Sequence, residues 1–241
     1  MITSRQNSLV KEIKALHIKK NRDETGLFLV EGVKSVKEAI NCGIKIRSLV
    51  FTERGKELFG DCVLPFETVT EGVFQAITDD KTPQGVLAVS YIPKFSETDP
   101  NGKSVFLDGV SDPANVGAII RSAAAFGYGT VFIADGADAY SPKSVRASMG
   151  GIFRVKVFSG EKEELLKKIK VPLFIADMDG EDLKSVYVAS AHCIVVGNEG
   201  HGVSEKVKAA GQKIISIPMQ NGMESLNAAV SVSIIMYGLS K

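Results

Sequence analysis

Three clusters of polar residues and glycines in the second half of the chain have compositions suited to chemistry. The first contains Asn115 and, six residues later, Arg121. The second contains Glu199 between glycines, and the third contains Ser225 and Asn227. Together they supply a guanidinium, a carboxylate, a hydroxyl and two amides, which can hold a polar ligand and take part in proton transfer.

Each cluster comes directly after a short apolar run that is typical of a β-strand. These runs are residues 105–107, 193–196 and 214–217, and further strands are expected at 130–134 and 173–176. The helical patterns between the runs predict a parallel sheet covered by helices on both faces. Because parallel strands bring their carboxyl ends to one edge, the three clusters should converge on one ligand-binding cleft.

Each of these residues also has an ordinary structural interpretation. Asn115 and Ser225 can cap helices, and Arg121 can form a surface salt bridge. Glu199 can accept hydrogen bonds from backbone N–H groups of its glycine-rich loop. The placement of all of them after three strands of one sheet favours the functional interpretation.

The first half of the chain has the pattern of a separate unit. It alternates short apolar runs with helical periodicity, which predicts a small α/β sandwich. We expect helices at residues 6–18, 33–40 and 69–77 and strands at residues 28–30, 49–51 and 85–92. Residues 93–103 are rich in turn-forming residues and predict a linker. We therefore assign two domains, residues 1–95 and 103–241.

Overall charge does not indicate a nucleic-acid partner, because the net charge is only +1. The first 22 residues are different, with six basic residues against one acidic residue: Arg5, Lys11, Lys14, Lys19, Lys20 and Arg22 against Glu12. A basic arm of this kind can contact phosphates. It can equally be a solvated helix face, and charge alone does not separate the two interpretations.

Cysteine and histidine usage does not indicate a metal site. The three cysteines and three histidines are scattered and form no ligand spacing. The amino terminus lacks the apolar core of a signal peptide, and no apolar run is long enough to span a bilayer. We expect a cytoplasmic protein with neither a metal nor a membrane span.

The glycines do not match common nucleotide-binding motifs. Gly197, Gly200 and Gly202 have the wrong spacing for the dinucleotide pattern G-x-G-x-x-G. The P-loop pattern G-x-x-x-x-G-K-[ST] and the hydrolase pattern G-x-S-x-G do not occur. These patterns argue against a nicotinamide enzyme, a P-loop NTPase and an α/β-hydrolase.

The three clusters resemble the motifs of the SpoU (TrmH-like) family of RNA ribose 2′-O-methyltransferases, in the SPOUT superfamily. The matching stretches, residues 107–127, 194–204 and 215–239, occur in the order and spacing of that family. The first unit resembles the L30e-like substrate-binding domain that often precedes this catalytic domain. Its matching stretches are residues 4–10, 28–32 and 82–89.

This resemblance implies a fold and a cofactor that periodicity does not show. It implies an L30e-like α/β sandwich followed by an α/β-knot domain with a mostly parallel sheet and a deep trefoil knot. S-adenosylmethionine is expected to bind in the knot, and members form homodimers through the same region. The motif match places the cofactor against the backbone near four residues: Gly197, Ile217, Met219 and Leu226.

The resemblance also implies the catalytic residues, which are Asn115, Arg121, Glu199, Ser225 and Asn227. In the implied reaction a ribose 2′-oxygen attacks the methyl carbon of a sulfonium ion, and no metal is required. Arginine is an awkward base because guanidinium stays protonated in proteins. Arg121 therefore either clamps a phosphate while another group takes the proton, or acts as the base, as the family suggests. In both accounts its guanidinium should face the cleft.

The favoured function is methylation of a ribose 2′-hydroxyl in 23S ribosomal RNA. The alternatives are the same reaction on transfer RNA, and a non-catalytic dimeric module that only binds RNA. The candidate RNA contacts are Arg5, Lys11, Lys19, Arg22 and Arg146. A salt bridge explains Arg146 equally well.

Overall fold

A computed structural model describes residues 1–96, 102–188, 190–223 and 225–240 of the chain. Its named strands form two sheets, one of four strands and one of six. Helices alternate with strands along most of the chain. The α/β fold class predicted from the sequence is confirmed.

The amino-terminal sheet is mixed. Its strands are β1 (Leu27–Glu31), β2 (Ile46–Phe51), β3 (Phe66–Thr68) and β4 (Val86–Tyr91). Their order is β1-β4-β2-β3, with β4 antiparallel to both neighbours and β3 parallel to β2. The accompanying helices are α1 (Ser8–Ala15), α2 (Lys19–Thr25), α3 (Val33–Asn41), α4 (Glu53–Phe59) and α5 (Glu71–Phe74).

The carboxyl-terminal sheet is parallel throughout. Its strands are β5 (Ser104–Asp108), β6 (Thr130–Ala134), β7 (Lys156–Gly160), β8 (Leu173–Asp182), β9 (Cys193–Gly197) and β10 (Lys213–Ser216), in the order β10-β8-β9-β5-β6-β7. Its helices are α6 (Pro113–Ala125), α7 (Pro142–Ala147), α8 (Lys162–Lys168), α9 (Glu205–Ala210) and α10 (Ala228–Gly238), with a 3-10 turn at Gly151–Phe153. The central strands β5, β6 and β9 are buried along their whole length, as a sheet covered on both faces requires.

The amino-terminal region differs most from the sequence prediction. The helix expected at 6–18 ends at Ala15, and a second helix, α2, follows it. The sequence of α2 is polar throughout, so no apolar periodicity marks it. The helix expected at 69–77 begins only at Glu71, because Val69 forms a parallel bridge with Ile2, and it ends at Phe74. Helix α4 and strands β3 and β7 were not predicted either.

The two sheets share one buried apolar cluster. It joins Phe28 and Val30 of β1 to Leu107 of β5, and the Phe28 ring packs edge-on against Tyr140 at 5.0 Å. A second cluster lies on the other face of β1, where Leu27 and its neighbours contact α1. The predicted linker lies partly outside the described residues, and the division into 1–95 and 103–241 stays a prediction. Within the described ranges, no helix has both the length and the apolar composition needed to cross a bilayer.

Candidate active site

The loops that follow β5, β9 and β10 meet at the carboxyl edge of the larger sheet. Strands β5 and β9 are neighbours, with Asp108 opposite Gly197, and β8 lies between β9 and β10. A cavity of about 710 Å³ opens at this edge. Its walls come from the segments after β9 and β10, the middle of β8 and one side of α10.

One residue from each loop contributes to a chain of hydrogen bonds beside this cavity. Asn115 Nδ2 donates to Glu199 Oε1 at 2.8 Å, and Asn227 Nδ2 donates to Asn115 Oδ1 at 3.0 Å. Asn227 Oδ1 also accepts from the N–H groups of Ala229 and Val230, and so caps α10. The structure therefore brings three of the five predicted catalytic side chains into contact.

Glu199 is held as a carboxylate. Partial burial raises its pKa, but the hydrogen bonds from Asn115, from the backbone and from the Ser111 hydroxyl outweigh burial, so the pKa lies below the ordinary glutamate value. The Ser111 contact is long, at 3.4 Å to Oε2. Because an ionised carboxylate only accepts hydrogen bonds, Glu199 orients Asn115 and does not carry a proton at neutral pH.

Asn198 ties the loop after β9 to the loop after β5. Its Nδ2 donates to the Gly109 carbonyl at 2.8 Å, and its Oδ1 accepts from the Gly200 N–H at 2.9 Å. The loop folds back so tightly that a side chain at Gly197 would collide with the backbone of Gly202. Sequence reasoning missed Asn198, although an asparagine two residues before a glycine in a loop is a known turn signal.

A buried carboxylate fixes the same two loops where they join the sheet and the next helix. Asp108 Oδ2 accepts from the Ser204 N–H at 2.8 Å and from its hydroxyl at 2.7 Å, while Lys162 Nζ lies 2.7 Å from Oδ1. Burial raises the pKa of Asp108, but these hydrogen bonds and the Lys162 charge bring it below the ordinary aspartate value. We call Asp108, Ser204 and Lys162 the Asp108 anchor. It joins the end of β5 to the starts of α8 and α9, and the sequence did not reveal it.

Arg121 does not line the cavity, contrary to the expectation that its guanidinium faces the cleft. Helix α6 begins at the sheet edge and carries Arg121 about 9 Å further along its axis than Asn115, at 1.5 Å per residue. Its side chain is exposed. Within the part of the chain that the structure describes, it has no hydrogen bond or ion pair. Its guanidinium is therefore available to a substrate outside the cavity.

Two glycines hold α6 firmly against its neighbours. A Cβ at Gly117 would collide with the Ser144 carbonyl oxygen, so the backbones of α6 and α7 lie close together. A Cβ at Gly151 would lie 2.8 Å from the Arg121 Cα, so the 3-10 turn presses directly on the helix at this arginine. The position of Arg121 is consequently set by packing and not by its own side chain.

The capping roles considered for Asn115 and Ser225 are wrong. Helix α6 is capped by Asp112, whose side chain accepts from the Ala114 N–H, and Pro113 occupies the first turn. Helix α10 is capped by Asn227. Ser225 is exposed and lines the cavity, and its hydroxyl does not cap the helix.

The four residues predicted to hold a cofactor all line the cavity: Gly197, Ile217, Met219 and Leu226. The volume of about 710 Å³ lies within the range of small-molecule sites. Asp177 and Asp179, which sequence reasoning missed, line the same cavity. A hydrogen bond from Lys208 lowers the pKa of Asp177, so this carboxylate is ionised at neutral pH.

One of the predicted RNA contacts is wrong. Arg22 is only 3% exposed, and its guanidinium donates twice to Asp138 Oδ2, at 2.6 and 2.9 Å. Its partner lies 116 residues away, so local sequence could not reveal the pair. The other four candidates are exposed and stay predictions: Arg5, Lys11, Lys19 and Arg146.

Two family models match the chain. The SpoU rRNA Methylase family matches residues 102–237, which contain all three loops of the site. The MRM3-like substrate binding domain matches residues 7–88, which contain the amino-terminal sheet apart from the end of β4.

Similar proteins match almost the whole chain. The 23S rRNA (guanosine(2553)-2′-O)-methyltransferase RlmP of Bacillus subtilis (strain 168) is 32% identical over 244 residues, which cover 99% of this chain and 98% of the relative. The 23S rRNA (uridine(2479)-2′-O)-methyltransferase of Streptomyces viridochromogenes is 29% identical over 259 residues, covering 98% and 90%. An AdoMet-bound rRNA methyltransferase from Sinorhizobium meliloti has a similar structure, with a TM-score of 0.88 at 29% identity, covering 98% and 95%. This chain belongs to the SpoU rRNA methylase family.

Proposed function

We propose that the protein transfers a methyl group from S-adenosylmethionine to a ribose 2′-hydroxyl of 23S ribosomal RNA. The observation that carries this proposal is the hydrogen-bonded chain of Asn115, Glu199 and Asn227 beside the cavity. Two relatives are named as 2′-O-methyltransferases of 23S rRNA, one for a guanosine and one for a uridine. Since their target bases differ, the chemistry that they share is at the ribose.

The cavity suits S-adenosylmethionine. Ile217, Met219 and Leu226 provide apolar surface for a nucleoside, and the glycine-rich loop after β9 brings backbone groups close to it. Asp177 is paired with Lys208, which also lines the cavity, so Asp179 provides the negative charge left for a cationic ligand. When bound, S-adenosylmethionine supplies a methyl group that the sulfonium charge has already activated.

The protein's own residues must align the ribose, and on the phosphate-clamp account the proton of the 2′-hydroxyl passes to water in the open cleft. Glu199 fixes the orientation of the Asn115 amide, and Asn115 in turn holds the Asn227 amide. These fixed dipoles can position the reacting hydroxyl without reorganising during the reaction. The exposed Ser225 hydroxyl lines the cavity and can bind the same nucleotide.

We assign Arg121 to the phosphate beside the target ribose. A guanidinium stays protonated and binds phosphate through two parallel hydrogen bonds. A base must come within about 2.6–3.2 Å of the group from which it takes a proton. The position of Arg121 outside the cavity therefore supports the phosphate clamp over the alternative that it acts as the base.

The proposal includes a homodimer formed through α10 and the trefoil knot expected from the family resemblance. Val230, Ile234 and Tyr237 are 48%, 38% and 64% exposed and lie on one face of α10. An exposed apolar stripe of this kind is typical of a protein interface. A ribosomal RNA substrate would place the enzyme in the cytoplasm.

The test is methyl transfer to an unmodified 23S rRNA transcript, followed by mapping of 2′-O-methylated nucleotides by mass spectrometry. We expect methylation at a ribose and a much slower reaction for the Glu199→Gln variant. Methylation of transfer RNA alone would favour the transfer RNA alternative. Binding of RNA and S-adenosylmethionine without any transfer would instead favour the non-catalytic module.

A further inference from the structure

An open groove of about 670 Å³ lies where α3 meets the carboxyl-terminal half of the chain. Lys34, Lys37 and Gln84 line it from the amino-terminal half, and Arg154 lines it from the other side. Glu38 lies between them, and its carboxylate bonds Arg154 at 2.8 Å. The groove is thus built from both halves and is separate from the cavity described above.

The groove carries excess positive charge. Three cations line it against the single carboxylate of Glu38. Lys34 and Lys37 are exposed, and neither forms an ion pair with any residue in the described ranges. Lys37 Nζ lies 5.2 Å from the centre of the Phe59 ring, a cation–π contact that holds the ammonium group in place. Two ammonium groups in an open groove are suited to bind phosphates.

Only two glycines separate this groove from Arg121. The Glu38 carboxylate lies so close to Gly150 that a side chain there would collide with it. The next residue, Gly151, presses on the Cα of Arg121. Since successive Cα atoms are about 3.8 Å apart, one RNA strand can contact the groove and Arg121 together.

The two halves of the chain, which together form the groove, are held to each other by polar and apolar contacts. Arg22 is buried against Asp138, and Arg154 pairs with Glu38. The apolar cluster shared by both sheets lies on the same side of β1 as α3, since it contains Phe28 and residues of α3. The groove is therefore formed before any ligand arrives.

The basic arm identified in the sequence is placed less favourably. Helix α1, which carries Lys11, packs on the opposite face of the amino-terminal sheet, in the cluster that contains Leu27. Lys19 pairs with Asp23 at 2.7 Å. The α3 side of the sheet is the side that adjoins the active site.

We propose that this groove binds the sugar–phosphate backbone of the substrate RNA next to the target nucleotide, with Lys34 and Lys37 contacting phosphates. This inference rests on the proposed function and names the surface that delivers its substrate. On this proposal the main RNA contact lies at the junction between the two sheets and not on the basic arm of the first 22 residues.

The test compares two double variants that remove the same charge from different surfaces. Lys34→Gln/Lys37→Gln changes the groove, and Lys11→Gln/Lys19→Gln changes the arm. Binding of an unmodified 23S rRNA transcript is measured by filter retention over a range of salt concentrations. We expect the groove variant to bind about tenfold more weakly at low salt, with the log–log salt slope reduced by about 1.4 for two lost single-strand phosphate contacts. The arm variant should keep the wild-type slope.

Both variants should keep the wild-type affinity for S-adenosylmethionine and melt close to the wild-type temperature, since all four lysines are exposed and surface pairs such as Lys19–Asp23 contribute little. An unchanged slope in the groove variant, or a loss found only in the arm variant, would overturn the inference. Salt-independent RNA binding by the wild-type protein would overturn it too. Absence of methyl transfer by a wild-type protein that shows the expected slopes would refute the proposed function and leave the groove assignment standing.

Discussion

The two sides of the active site are built in opposite ways. On one side, the loops after β5 and β9 are joined by the Asp108 anchor, by Asn198 and by the bond between Asn115 and Glu199. On the other side are Arg121 and the described residues of the loop after β10, residues 217–223 and 225–226. Most of these loop residues are exposed, and Arg121 has no polar partner among the described residues.

The first side consists of groups that are paired within the chain, and the second of groups that remain available to ligands. Buried, fully paired groups fix the backbone before binding, and removing one partner is costly. Exposed, unpaired groups cost little when removed but can be decisive in the reaction. Substitutions on the paired side should therefore lower stability and cofactor affinity. Substitutions on the exposed side should lower the rate of methyl transfer.

The largest effect is expected on the open side. Arg121→Ala should slow methyl transfer by about 10²-fold, because the ribose loses the phosphate contact that aligns its 2′-oxygen for attack. The free energy of unfolding should not change, because the side chain is exposed and has no partner among the described residues. Single-turnover rates and urea denaturation measure the two quantities.

Arg121→Lys is the matched control for this variant. It keeps the charge but loses the planar two-bond geometry, so it should recover only part of the rate. Calorimetric titration should show unaltered S-adenosylmethionine affinity in both variants. If that affinity disappeared, Arg121 would be a cofactor contact and the phosphate assignment would be wrong.

On the closed side, Asp108→Asn should lower the free energy of unfolding by about 2–3 kcal/mol, less than for a fully buried pair because Lys162 is 21% exposed. It should also raise the dissociation constant for S-adenosylmethionine, because the loop after β9 loses the hydrogen bonds that fix its end at Ser204. Asp112→Asn is the control, since Asp112 belongs to the same loop and asparagine caps helices equally well. Equal effects of the two variants would show that the Asp108 anchor has no special role.

Asn227 belongs to both sides, since it caps α10 and bonds Asn115. Asn227→Ala should cost about 1 kcal/mol of stability through the lost cap, and should slow methyl transfer as well. Asn227→Ser restores a capping oxygen but not the amide donor, so it should regain stability without regaining rate. Recovery of both would reduce the role of Asn227 to helix capping.

The smallest effect is expected from pH. The folded-state pKa values of Asp108 and Glu199 lie below their ordinary values. These groups therefore stabilise the fold above the ordinary carboxyl pKa of about 4, and the contribution is lost as pH falls through the folded values. The melting temperature should be level between about pH 6 and 8 and fall below about pH 4. Asp108→Asn should show a shallower fall; an equally steep fall would locate the titrating group elsewhere.

Local pattern predicted the elements with continuous apolar runs. Strand β6 matches its predicted bounds, and β9 differs by one residue, because both are buried on two faces and contain little else. Helix α2 was missed because its polar sequence has no apolar stripe, although its Arg22 is buried. The buried Arg22 is paired with Asp138, which no local window contains.

The composition of the site was also predictable, but not its geometry. The three loops were identified because polar residues follow apolar strands, and the structure brings Asn115, Glu199 and Asn227 together. The position of Arg121 outside the cavity lining could not be predicted, because spacing along α6 does not tell which neighbour that helix packs against. Asp108 was overlooked because its partner Ser204 lies 96 residues away.

The apolar cluster that joins β1 to β5 has a practical consequence for handling this protein. Because it crosses from one sheet to the other, the two halves should melt in a single cooperative transition. A fragment trimmed to the carboxyl-terminal half would expose Tyr140 and leave Asp138 without its arginine. Attempts to isolate a minimal catalytic fragment should therefore yield an aggregation-prone product. Exchanging the amino-terminal half between relatives will require matched residues on both sides of this apolar cluster.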